Sequence, residues 1–195
     1  EDHFNELVID LVNPAGQPER MQLVVRGYND GFAFCYKIPD GKGPCVNVQS
    51  ELTAYNFAGD YTAWFYNGEN HNIGPEKLTE TDGTRLPVMT VKAGDKHYMA
   101  IHEACLETGA PLVLQSKGGE SLFSVASKPT SLSPGYTSAW RVVLYGTTPG
   151  VLTDSHLLEL LNPDPDSRYD FSWVKPGLAV WDWRINGAVW DGFTY

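Results

Sequence analysis

Compact catalytic signatures are missing from this sequence. It has no H-E-x-x-H helix to hold zinc, no G-x-S-x-G nucleophile elbow and no glycine-rich loop to cradle phosphate. Positive charge is scarce as well: 14 Lys and Arg stand against 24 Asp and Glu, for a formal net charge of −10. Such a balance argues against nucleic acid and anionic membrane as partners, and is compatible with neutral sugars or a bound cation. The acidic residues are scattered, so most of them simply solvate the surface. Cysteine is limited to Cys35, Cys45 and Cys105, with no C-x-x-C pair. One bridge is possible, but an odd count argues against a disulfide framework. No apolar run approaches the roughly 20 residues that a membrane span needs. The opening residues Glu1-Asp2-His3 carry no signal-peptide pattern.

What is present is a period of two. With 195 residues and 42% hydrophobic content, the chain can build one sizeable core. Gly31 to Ile38 sets Phe32, Phe34, Tyr36 and Ile38 on one face and Ala33, Cys35 and Lys37 on the other, a strand pattern. Similar runs fall at 7–12, 21–26, 86–92, 98–104, 122–127 and 140–145. Turn residues separate them, at Asn13-Pro14-Ala15-Gly16, Asn29-Asp30-Gly31, Asp40-Gly41, Asp82-Gly83, Gly118-Gly119 and Pro134-Gly135. Many short strands so spaced predict an all-β fold, an antiparallel sandwich or barrel. Cys35 and Cys105 lie in strand-like segments and read as small core residues. Asp154 to Leu161 is ambiguous between a short helix and a strand, and is read here as a strand.

Asn162-Pro163-Asp164-Pro165-Asp166 reads as a linker, since two prolines remove donors and interrupt pairing. Beyond it the chain turns strongly aromatic: four of the six tryptophans follow Ser172. Leu178 to Trp183 reads as a strand with no capping element after it, the first strand of a second domain. An aromatic edge of this kind invites association if left open.

Two groups of residues are candidates for chemistry. In the strand from Tyr98 to Cys105, Met99, Ile101, Glu103 and Cys105 share a face. Glu103 thereby sits on an apolar face, where an unpaired carboxylate costs several kcal/mol and needs a cation or several donors. The bland alternative is an exposed strand end or a structural salt bridge with an Arg or Lys. His102 faces the other way, as a hydrogen-bonded structural histidine. The second group is aromatic: Trp64, Phe65 and Tyr66, and Trp181 and Trp183 around Asp182. An aromatic ring beside a carboxylate suits a pyranose, although core packing is the commoner use of tryptophan.

Several segments, in order, resemble glycoside hydrolase family 97. They are Tyr28-Asn29-Asp30-Gly31-Phe32-Ala33-Phe34, Glu51-Leu52-Thr53 with Asn56-Phe57-Ala58-Gly59-Asp60-Tyr61-Thr62-Ala63-Trp64, Ile101-His102-Glu103-Ala104, and Ser172-Trp173-Val174-Lys175-Pro176-Gly177 leading into Val180-Trp181-Asp182-Trp183-Arg184. Singly these are weak; in this order, across nearly the whole chain, they are specific. Cys35 departs from the pattern, standing where a basic residue is expected.

The resemblance implies an N-terminal β-supersandwich followed by a catalytic (β/α)8 barrel, activity on α-glucosides or α-galactosides, and a need for calcium. It divides the chain into 1–161, an incomplete galactose-mutarotase-like supersandwich lacking its first strands; 162–176, a linker; and 177–195, the first strand of a truncated barrel. It implies that Glu103 is a calcium ligand and that Trp181, Asp182 and Trp183 adjoin the substrate. It also implies that the catalytic pair lies in the missing C-terminal barrel, and that the protein is periplasmic or secreted. The partner would be an oligosaccharide or α-glycoside. The competing readings are a stand-alone carbohydrate-binding module and a structural sandwich without a ligand.

Overall fold

A computed structural model of the chain describes residues 3–12, 15, 18–66, 72–107 and 110–179. The backbone divides into two compact units, Glu1–Pro163 and Asp164–Tyr195.

The first unit is built from β1 (Asn5–Val12), β2 (Pro18–Tyr28), β3 (Gly31–Lys37), β4 (Val46–Val48), β5 (Ala54–Asn56), β6 (Thr62–Tyr66), β7 (Asn72–Lys77), β8 (Asp82–Lys92), β9 (Tyr98–Ala104), β10 (Leu114–Lys117), β11 (Leu122–Val125), β12 (Thr130–Leu132) and β13 (Trp140–Gly146). Two short helices follow, α1 (Pro149–Asp154) and α2 (Leu157–Leu160). The main sheet runs β1-β2-β3-β13-β9-β8-β10-β11-β5, with β6 pairing β7 and β8, and every pairing is antiparallel. A separate ribbon joins β12 to β4.

Strand β8 serves three partners: Asp82–Arg85 pairs with β10, Met89–Lys92 with β9, and β6 lies along its other edge. The sheet therefore continues past β8 into β10 and β11, whose Leu114, Phe123 and Val125 pack with Phe65, Met89, Val91 and Ile101 of the neighbouring strands. That packing makes the two-layer sandwich expected from the alternation. A second cluster fills the other face of β13 and β9, where Val24, Ala33, Cys35, Ala100, Trp140, Val142 and Leu144 meet Leu157 and Leu161. The central strand β13 is therefore covered on both faces, and its residues alternate between two packed layers rather than between core and water.

Turn chemistry fits its positions. Asn29 and Asp30 form the two-residue connection between Tyr28 and its partner Gly31. A Cβ at Gly31 would collide with the Val143 carbonyl oxygen of β13, so only glycine lets the strands close there. Gly118 and Gly119, at φ 69° and 72°, turn the chain between β10 and β11.

Three expectations are corrected. Residues 154–161 are not a strand: α1 and α2 occupy the segment. A strand would have placed Glu159 on the same face as Leu157 and Leu161. The helical turn instead buries Leu157 and Leu161, four apart, and leaves Glu159 in water. Asp82-Gly83 is not a turn but the start of β8, following a single 3-10 turn at Leu78–Glu80. Cys105 lies just past the end of β9, with φ 54°, and is half-buried. Cys35 is buried as expected, and its burial pushes the thiol up to about 11.

In the second unit, residues 164–179 hold turns and no helix or strand. Arg168 folds back on Asp166, with Nη2 to Oδ2 at 2.6 Å. The expected barrel strand at 177–195 falls almost wholly outside the described residues. Among the described residues, no helix is long and apolar enough to cross a membrane.

Candidate functional site

The inner face of the main sheet carries one charged cluster. In the ladder between β13 and β9, Arg141 stands directly opposite Glu103, so the two side chains share a face with Val143 and Ile101. Both are nearly sealed from water, with side-chain exposures of 5% and 7%. The loop before β5 brings Glu51 to the same guanidinium, 90 residues away in sequence.

The geometry is asymmetric. Arg141 gives its Nε and Nη2 edge to Glu51, at 3.0 Å to Oε1 and 2.7 Å to Oε2, a two-pronged pairing. Its remaining nitrogen, Nη1, reaches Oε2 of Glu103 at 3.4 Å. The Leu112 backbone N–H donates to that same Oε2 at 2.6 Å. Among the described residues no donor is directed at Oε1 of Glu103.

The cluster sets one positive charge against two negative ones. Burial pushes the Glu103 carboxyl above its ordinary value; the Leu112 N–H and the Arg141 charge pull it back, and Glu51 adds to the rise. Burial works against the Arg141 cation, yet its bonds to Glu51 and the two carboxylate charges leave it above the ordinary guanidinium value. Tyr55 feels the same charges. Its hydroxyl is buried without a hydrogen-bond partner among the described residues, and burial raises its pKa.

A cleft of about 890 Å³ opens beside this cluster, lined among others by Tyr36, Glu51, Leu52, Pro111, Tyr136 and Arg141. Glu103 does not line it and is connected to it through Arg141. The cleft is mostly apolar, and its charged lining residues are Glu51, Arg141 and Lys128.

The sequence candidates therefore separate. Glu103 is on the inner face as expected, and it has the arginine partner that the bland reading allowed. His102 points to the opposite face; its Nδ1 accepts the Glu103 backbone N–H at 2.8 Å, and burial lowers its pKa. Phe65 is a core residue, tilted against Phe123 at 5.6 Å, so it offers no sugar platform. Trp64 is partly exposed on the opposite side of β6. Trp181, Asp182 and Trp183 lie outside the described residues. Sequence reasoning missed Arg141 and Glu51 as site residues. The available signal for Arg141 was a lone cation inside the apolar run Trp140–Tyr145.

Comparison with known proteins places this geometry in context. A family model described as Glycosyl-hydrolase 97 N-terminal matches residues 1–163. A retaining alpha-galactosidase of Bacteroides thetaiotaomicron is 27% identical over 199 residues, covering 81% of this chain and 30% of that protein. A probable retaining alpha-galactosidase of Streptomyces bingchenggensis is 29% identical over 188 residues, covering 86% and 27%. Among solved structures, a Glycoside Hydrolase Family 97 enzyme from Pseudoalteromonas sp. strain K8, in complex with acarbose, superposes with a TM-score of 0.73 at 25% identity, covering 90% of this chain and 28% of that one. The chain thus spans less than a third of the length of each of these relatives.

Proposed function

The chain belongs to glycoside hydrolase family 97, and from that premise we propose that it is the N-terminal, non-catalytic portion of a calcium-dependent α-glycoside hydrolase of the α-glucosidase or α-galactosidase type. The observation that carries the reading is a nearly sealed carboxylate, Glu103, with one oxygen that takes no donor among the described residues. Oε2 of Glu103 takes both described donors, Oε1 takes none, and the cluster around it keeps an excess of negative charge.

Glycoside hydrolysis needs two carboxyl groups set across the scissile bond, one to donate a proton and one to act as base or nucleophile. Glu51 and Glu103 converge on the single Arg141, and only Glu51 lines the cleft, so the two are not set across a bound sugar as such a pair. The catalytic pair is therefore assigned to the length that the relatives have and this chain does not. The sandwich supplies a wall of the active site and one ligand.

Calcium takes six to eight oxygen ligands. Glu103 fits as one of them and no more: the described residues hold no group of three or more His, Cys, Asp or Glu able to enclose an ion. The other ligands would come from the remainder of the protein, so that the ion joins the two parts. Bound there, calcium supplies positive charge able to polarise an oxygen at the reacting sugar. Trp181, Asp182 and Trp183 are assigned to the sugar's surroundings, on the chemistry of an aromatic ring and a carboxylate near a pyranose. A periplasmic or secreted location is part of this reading, and cell fractionation tests it.

The test is Glu103→Gln in the full-length protein, which keeps the shape and removes the charge. Calcium affinity and activity on an aryl α-galactoside or α-glucoside are expected to fall together, with partial recovery in excess calcium. Wild-type activity of that variant after chelation and dialysis would reduce Glu103 to an ion-pair residue of the sandwich.

A further inference from the structure

We propose that Arg141 and Glu51 are the positioning residues for Glu103: Glu51 holds the two-pronged edge of the Arg141 guanidinium, and the single nitrogen left over pins one oxygen of Glu103, leaving for a cation the other oxygen, which takes no donor among the described residues. This inference rests on the reading of Glu103 as a calcium ligand given above, and adds to it the two residues that would make the ligand competent.

Arg141 divides its donors unequally between the two carboxylates. An arginine facing a lone buried carboxylate favours the fork geometry, in which two N–H groups engage both oxygens. Such a pairing would offset the charge of Glu103 and engage both of its oxygens, making it a poorer ligand for a metal. Here that fork is already taken, at 3.0 Å and 2.7 Å, by Glu51. Arg141 consequently reaches Glu103 through Nη1 alone, at 3.4 Å and on Oε2 only. The Leu112 N–H lands on the same oxygen at 2.6 Å. Two donors on Oε2 and none among the described residues on Oε1 fix the plane of the carboxylate and divide its oxygens between two tasks.

The placement of the three groups supports a rigid role. Arg141 and Glu103 are cross-strand partners at the centre of the sheet, where the backbone ladder fixes their separation. Glu51 arrives from a separate loop, and its backbone N–H is anchored on Ser127 Oγ at 2.7 Å. Groups that hold a metal-binding carboxylate typically change metal affinity by about 10–100-fold when altered.

Charge and positioning give opposite forecasts, which makes the inference testable. If only net charge mattered, Arg141→Lys would leave calcium affinity unchanged, because the cation is kept. If positioning matters, the ammonium cannot hold the Glu51 fork and pin Glu103 at once, and affinity falls. The experiment is calcium titration of the full-length protein by calorimetry, on wild type, Glu103→Gln, Arg141→Lys and Glu51→Gln. Melting in excess chelator runs alongside to read each fold without metal. Arg141→Lys and Glu51→Gln are both expected to weaken calcium binding by about 10-fold or more, while the chelator melts still show a folded protein. If Arg141→Lys fails to fold, Glu51→Asp, titrated in the same way, decides alone, since it keeps the charge while drawing the carboxylate back from the Arg141 fork. Weakening by Glu103→Gln together with affinities within about 2-fold of wild type for the other two would overturn this inference and leave the calcium reading standing. An unchanged affinity in Glu103→Gln would overturn both.

Discussion

Replacing Arg141 by Met is the sharpest test of what the charged cluster contributes to the fold. Met keeps much of the apolar stem and removes the guanidinium, so the change isolates the charge rather than the packing. It leaves two carboxylates facing each other in a largely dry layer, with side-chain exposures of 18% for Glu51 and 7% for Glu103. Removing one partner of a buried pair costs about 3–5 kcal/mol. The low end applies here, because Glu51 is partly solvated and Glu103 keeps the Leu112 N–H. The expected loss is about 3 kcal/mol, or a fall in Tm of about 6–12 °C for a domain of this size. Urea unfolding followed by tryptophan fluorescence measures it, with the slope checked for constancy. Adding Glu51→Gln and Glu103→Gln to Arg141→Met should restore at least half of the loss, since the stranded charges are then gone. The deficit of the single variant should also shrink on acidification, beginning above the usual carboxylate range because Glu103 titrates high. A loss below about 1 kcal/mol, or a triple variant no better than the single one, would refute the reasoning.

Other consequences are equally direct. The Cys35 thiol lies at about 11 in the fold against 9.0 for an ordinary thiol, so it should react slowly with a disulfide reagent at pH 8 while exposed Cys45 reacts at once. A raised acid pKa contributes stability that is whole below the unfolded value and lost as pH rises through the folded one. Cys35→Ala should therefore remove an alkaline loss of up to about 2–3 kcal/mol. His102 has the opposite sign: its folded pKa is lowered, so its contribution is present above the ordinary value of 6.5 and lost as pH falls through the folded one. His102→Gln should flatten the stability profile on the acid side of 6.5, and an unchanged profile would count against a buried neutral imidazole.

The layered β architecture was legible because its long strands obey a period of two, from Gly31–Lys37 to Tyr98–Ala104. The short strands were not. Val46–Val48, Ala54–Asn56 and Thr130–Leu132 have three residues each, too few for any period to show, and Asn72–Lys77 is interrupted by Gly74-Pro75. Residues 154–161 misled because leucine suits both periods; the deciding clue was Glu159, which only a helix keeps out of the core. Glu103 was legible as a carboxylate on an apolar face. Its partners were not, because Arg141 lies in a strand buried on both sides and Glu51 in a loop whose path no local pattern reveals.

The measurement that bears most directly on the central claim is turnover of aryl α-galactoside and α-glucoside by this chain alone, beside the same assay on the full-length protein with calcium. The account predicts hydrolysis by the full-length protein and none by the chain, whose described acidic pair is held by Arg141. Hydrolysis by the purified chain, abolished by replacing an acidic residue within it, would contradict the account.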